Sequence, residues 1–198
     1  MTKQRLEAFT DGVYAIVITL LILDIRIPDG GPESLGPALL RMLPQVLTYI
    51  LSFFIIGLYW FSHHRVAQQV KHIDGTFVWL NMIWLLFVTI MPFPTALLGR
   101  YPLQPIPIAI YGIDLILANV TGFFILGYMK RHPELCFTIV DARLLRRQLP
   151  TYAITNGVYI LAIGCGWVFP WISYGLYALI LVWLAARYVR IPNPLSDV

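Results

Sequence analysis

The stretch Asp11-Gly12-Val13-Tyr14-Ala15-Ile16-Val17-Ile18-Thr19-Leu20-Leu21-Ile22-Leu23-Asp24 decides the fold. It is too apolar for a water-facing helix, and an acid stands at each end. A membrane span needs about 20 mostly apolar residues. Extended to Leu6–Ile27, this segment reads as a first transmembrane helix. Lys3 and Arg5 ahead of Val13–Leu23 imitate a secretory signal. Asp11 breaks that pattern, and Asp24 and Arg26 stand where small residues would mark cleavage. The segment is expected to be retained.

Outward from this helix, similar runs repeat. The expected spans are residues 6–27, 35–61, 76–98, 107–129, 150–169 and 172–189, which make residues 1–198 a single all-α, six-helix transmembrane domain. Pro28, Asp29, Gly30, Gly31 and Pro32 form the first turn. Pro44 lies inside the second span and predicts a kink. Arg100, Tyr101 and Pro102 turn the chain into the fourth span, and Pro170 and Trp171 turn it into the sixth. The longest connection, 133–149, is expected to hold a short interfacial helix. Composition agrees, since 59% of the 198 residues are hydrophobic and 12% charged, about half the charge of a soluble domain.

The sequence pI of about 9.2 does not signal nucleic acid, because the basic residues sit at the ends of apolar runs. With the N-terminus inside, the inner segments hold Lys3, Arg5, Arg65, Lys71, Lys130, Arg131, Arg143, Arg146, Arg147, Arg187 and Arg190. The outer ends hold Arg26, Arg41 and Arg100. This bias predicts cytoplasmic N- and C-termini. Trp60, Trp79, Trp167 and Trp171 lie near span ends, as interfacial aromatics do. Cys136 and Cys165 have no CxxC spacing and read as small apolar residues.

Ionisable groups at both ends of a short apolar stretch point to contact with protein or water. On that helix Gly12, Ile16, Thr19, Leu20 and Leu23 share a face by their three- and four-residue spacing. The face is aliphatic with one hydroxyl. It suits helix packing or a narrow pore, and periodicity alone favours packing. Near the inner end, Arg5 and Asp11 are placed to pair with each other or with His63, His64, Asp74 and Asn81.

Arg5-Leu6-Glu7-Ala8-Phe9-Thr10-Asp11 resembles the RxxxFSD signature of the transmembrane protein 175 family, the lysosomal potassium channel and its bacterial relatives. Tyr14–Ile25 continues the likeness, as do Trp60 with His63 and His64, Trp79, Asn81 and Pro92-Phe93. Thr10 replaces the motif serine and keeps its hydroxyl. The chain length suits a bacterial single-repeat member.

The resemblance implies a homotetrameric, potassium-permeable channel in the bacterial inner membrane, with the first helix of each subunit lining the pore. The TVGYG filter is missing from the sequence. An aliphatic constriction five residues after the motif aspartate falls on Ile16, and Thr19, Leu20 and Leu23 follow as pore-facing positions. Arg5, Phe9, Thr10 and Asp11 become the scaffold of the pore helix, with His63, His64 and Asn81 as a supporting polar network. No cofactor, nucleic acid or metal is expected beyond permeating monovalent cations such as potassium. The expected partners are the bilayer and three further copies.

Other features read more plainly. Asp114, deep in the fourth span, is an intramembrane acid and a default functional candidate, but the resemblance gives it no role. Asn119, Thr121, Thr155 and Asn156 suit interhelical hydrogen bonding. His63-His64 resembles a metal or haem pair, yet adjacent helical residues point about 100° apart. No nucleophile elbow, P-loop, HExxH or Rossmann pattern occurs, so enzymatic chemistry has no machinery. A secondary transporter of a small ion or solute is the main alternative, kept open by Asp114 and the prolines. A haem or quinone redox subunit is a third.

Overall fold

The computed structural model describes residues 2–26, 35–137 and 142–190, with the backbone alone for 142–147, 149 and 189–190. Seven α-helices follow in order: α1 (Lys3–Leu20), α2 (Leu35–Gln68), α3 (Gly75–Ile90), α4 (Pro92–Arg100), α5 (Pro105–Arg131), α6 (Ala142–Cys165) and α7 (Pro170–Arg190). Among the described residues there is no strand, only a bridge between Val70 and Cys136. The turn read at Pro28–Pro32, and the side chains of Arg143, Arg146, Arg147 and Arg190, lie outside the described set.

Local chemistry sets the boundaries. The Thr2 hydroxyl accepts from Arg5 N and caps α1. α1 tightens into a 3-10 turn over Leu21–Asp24, and Asp74 caps α3 by accepting from Phe77 N at 2.8 Å. The expected third span is two helices, because Pro92 has no N–H to continue the ladder and instead opens α4. Thr95 Oγ1, 2.7 Å from Met91 O and 2.8 Å from Ser52 Oγ, holds that break against α2. Pro44 is inside α2, and its carbonyl accepts from the Thr48 hydroxyl at 2.7 Å.

Two expected boundaries need correcting. α2 runs to Gln68, so His63, His64 and Arg65 are helical and do not belong to a connection. Within the expected 133–149 connection, Pro133–Leu135 forms a short 3-10 turn and α6 already begins at Ala142, with residues 138–141 outside the described set. Among the described residues, five helical segments are long and apolar enough to cross a membrane. α6 is not one of them, because Gln148, Thr151, Thr155 and Asn156 dilute its apolar run. It still packs between α5 and α7, with Tyr159 and Ala162 buried. Asn119 Nδ2 donates to Asn156 Oδ1 at 2.9 Å across the α5–α6 contact.

The apolar core joins all the long helices. Gly122 lets α5 approach α3 so closely that a methyl there would overlap the Trp84 ring, and Gly112 admits Tyr177 and Ile163 in the same way. The start of α1 and the end of α7 lie at one end of the bundle. Lys3 sits over the Phe137 ring, Phe137 N donates to Gln69 O, and Tyr188 OH donates to Ser62 Oγ. The described basic side chains Lys3, Arg5, Arg65, Lys71, Lys130, Arg131 and Arg187 gather at this end. Trp167 and Trp171 are exposed at the opposite end, on the α6–α7 turn.

Candidate functional site

α1 has two unlike faces. Leu6, Thr10, Tyr14, Val17 and Leu21 are buried against α2 and α3. Opposite them, Gly12, Ile16, Thr19, Leu20 and Leu23 are exposed. Tyr14 is 1% exposed and Ile16 59%. The face for which periodicity alone favoured packing is therefore left exposed by the described residues. Of its members, only Thr19 has a polar side chain. The Thr19 hydroxyl donates to Ile16 O at 2.8 Å, which spends its hydrogen on its own helix and leaves oxygen lone pairs for a partner beyond it.

The buried face is held by polar bonds. Asn81 Nδ2 donates to Thr10 Oγ1 at 3.1 Å, and His63 Nε2 donates to Asn81 Oδ1 at 2.6 Å. The amide leaves only its oxygen for His63, so the imidazole carries its proton on Nε2. This chain, Thr10–Asn81–His63, links α1, α3 and α2, and all three residues are buried. One turn along, Trp84 Nε1 donates to Tyr14 OH at 2.6 Å. The Trp84 ring stands between those of His63 and Tyr59, and Tyr59 OH reaches Leu115 O on α5. Each of these polar side chains thus has a hydrogen-bond partner, as burial requires.

A second set lies outside the first. Trp60 Nε1 donates to Asp11 Oδ1 at 2.8 Å. His64 stacks on Trp60 with ring centroids 5.6 Å apart, and its Nε2 lies 2.9 Å from Gln68 Nε2. The neighbouring histidines therefore occupy different environments. No cluster of His, Cys, Asp or Glu able to hold a metal occurs among the described residues.

The structure brings together Thr10, Asn81 and His63, and separately Asp11 and His64. Two expected scaffold residues are different. Phe9 is exposed, and among the described residues Arg5 contributes only its backbone N–H, to the Thr2 cap. Arg5 does not pair with Asp11. Asp74 stands apart from the cluster, capping α3 and accepting from Tyr128 OH. These two bonds, chiefly that from Tyr128, hold the Asp74 carboxyl below the usual carboxylate range.

A family model described as the endosomal/lysosomal potassium channel TMEM175 matches residues 5–92, which contain both polar sets. A potassium channel of Chryseobacterium sp. is 36% identical, over 93% of this chain and 93% of its own. The chain belongs to the TMEM175 family. The solved structure of a lysosomal potassium-selective channel TMEM175 homolog from Chamaesiphon minutus is 30% identical. It superposes with a TM-score of 0.80 over 93% of this chain and 97% of that one. The endosomal/lysosomal proton channel TMEM175 of Mus musculus is 40% identical over 114 residues, 53% of this chain and 23% of the mouse protein. TMEM175 is an ion-channel family and not an enzyme family, and its member here is a multi-pass membrane protein.

Three contacts of this TMEM175 member were not assigned from sequence: Trp60 to Asp11, Trp84 to Tyr14 and Tyr128 to Asp74. A signal existed for the second. Tyr14 is one turn beyond Thr10, so a helix that buries Thr10 buries Tyr14 too and obliges its hydroxyl to find a partner.

Proposed function

We propose that the chain is one subunit of a homotetrameric, potassium-permeable channel, with the outward row of α1 lining a central pore. The exposed row Gly12, Ile16, Thr19, Leu20 and Leu23 carries this reading. It runs along a helix whose opposite face is bonded into its own subunit by Thr10 and Tyr14. A helix anchored on one side and aliphatic on the other can meet its copies around an axis. Ile16 forms the narrow ring. Four isoleucines give a cation no coordination, so the ring blocks by excluding water and conducts when widened. Thr19 lone pairs replace part of the hydration shell one turn away. With no ring of carbonyls, preference for potassium over sodium is modest.

Arg5, Phe9, Thr10 and Asp11 form the scaffold of that helix, Arg5 and Phe9 acting between subunits. Residues 1–198 act as one channel domain with both chain ends in the cytoplasm, in the inner membrane of a bacterium. The basic side chains at that end and the bacterial relatives support this. The channel needs no bound cofactor.

The test is potassium flux into liposomes holding purified protein, with sodium for comparison and Ile16→Asn beside wild type. Flux that does not saturate, with altered permeation in the variant, is expected. An unchanged Ile16→Asn removes that residue from the constriction. Saturating, gradient-coupled uptake makes the protein a transporter.

A further inference from the structure

We propose that the clustered ends of α2 and α7 bind the phosphate of an anionic phospholipid, with its acyl chains along α2. Arg65 is in the last turn of α2. Its guanidinium lies 5.9 Å from the ring centroids of both Phe61 and Tyr188. On α7, the Arg187 guanidinium lies 5.5 Å from the Trp183 centroid, and both arginines are within electrostatic reach of the Tyr188 hydroxyl. Tyr188 OH donates to Ser62 Oγ at 2.9 Å, and the Phe61 and Tyr188 rings meet edge to face at 5.7 Å. The two helix ends are therefore tied together.

Ring faces attract a guanidinium but accept few of its five N–H groups. Arg65 pairs with no carboxylate among the described residues. A guanidinium on a fixed support with unspent donors matches a phosphate diester, which accepts two parallel hydrogen bonds. The apolar stripe selects a lipid over a free anion. Ile50, Phe54 and Phe61 are exposed on α2 and lead along the helix to Arg65, and their spacing keeps them close to one face. A phosphate alone leaves that stripe unused, whereas a phospholipid covers it. Arginine and aromatic side chains at this level also match the headgroup zone.

The site rests on the membrane reading of the chain but not on which residues line the pore. The test uses the purified protein in detergent, where sidedness plays no part. Thermal unfolding and native mass spectrometry follow titration with phosphatidylglycerol, phosphatidylcholine or inorganic phosphate. Phosphatidylglycerol is expected to bind and raise the midpoint, with little response to the other two. Arg65→Gln should lose about tenfold in apparent affinity, the size of one charge-assisted bond, and Arg65→Gln/Arg187→Gln should lose the response. Lys71→Gln, at the same end of the bundle, should keep it. Arg65→Lys keeps the charge and loses the fork, so it should fall between. Equal response to phosphatidylcholine, a full response to inorganic phosphate, or an unchanged response in Arg65→Lys and the double variant overturns the proposal. Failure here leaves potassium flux untouched, so the two readings are tested separately.

Discussion

Trp60 donates its indole N–H to the Asp11 carboxylate at 2.8 Å, joining α1 to α2 on the rim of the outward face. The bond is exposed within the subunit, so water can replace part of it. Asp11→Ala and Trp60→Phe should each reduce stability, and the double variant should cost less than their sum. The coupling expected is about 1 kcal/mol. Thermal unfolding of the four proteins measures it. Because neither residue is in the outward row, ion preference should be unaffected. Additive losses, or an intact Asp11→Ala assembly with altered selectivity, contradict this account.

The bond between Thr10 and Asn81 is fully buried, and its loss should be costlier. Thr10→Val keeps the shape and removes the hydroxyl, leaving Asn81 Nδ2 without an acceptor in the core. An unpartnered buried amide costs roughly 1–3 kcal/mol. Thr10→Ser should be close to neutral. Denaturation midpoints that rank Ser near wild type and Val well below it support this assignment. Equal midpoints for Val and Ser mean that the hydroxyl contributes nothing.

The residues differ in how readily their roles could be read. Apolar runs show the spans because a bilayer requires them. They do not fix the ends. α2 was expected to stop at Phe61 because His63, His64 and Arg65 look like a polar connection. The helix continues because each finds a support: Asn81 for His63, Trp60 for His64, and two ring faces for Arg65. These partners lie on other segments, and local composition does not report them. On α1, spacing identified the row through Ile16 but not whether it packs inward. That depends on Thr10 and Tyr14, whose partners Asn81 and Trp84 are about 70 residues away in sequence.

Asp74 gives the fold a dependence on acid. As the α3 cap it accepts from Phe77 N and Tyr128 OH, and in the folded state it ionises more readily than a free carboxyl. Its contribution is therefore complete above the usual carboxylate range and is lost as pH falls through the lowered folded value. Asp74→Ala should cost about 1 kcal/mol at neutral pH, as for a lost cap. Asp74→Asn retains a capping oxygen but no longer titrates. Between about pH 5 and pH 2 its unfolding midpoint should therefore fall less steeply than that of wild type. Parallel curves remove Asp74 as a source of acid sensitivity.

Asp114 offers a test between channel and transporter. It is 6% exposed within α5, and no described residue forms a hydrogen bond or ion pair with it. The nearby hydroxyls are occupied, Tyr59 with Leu115 O and Tyr111 with Ser52. An unpaired charge in this setting is costly, so a neutral side chain of the same shape should serve. Asp114→Asn is expected to remain within about 1 kcal/mol of wild type and to keep potassium flux. Asp114→Lys places a cation there with no counter-ion and should lower the unfolding midpoint sharply or abolish folded protein. If Asp114→Asn instead folds normally but stops transport, the carboxylate is handling an ion in the subunit interior. That result would favour a transporter over a pore along α1.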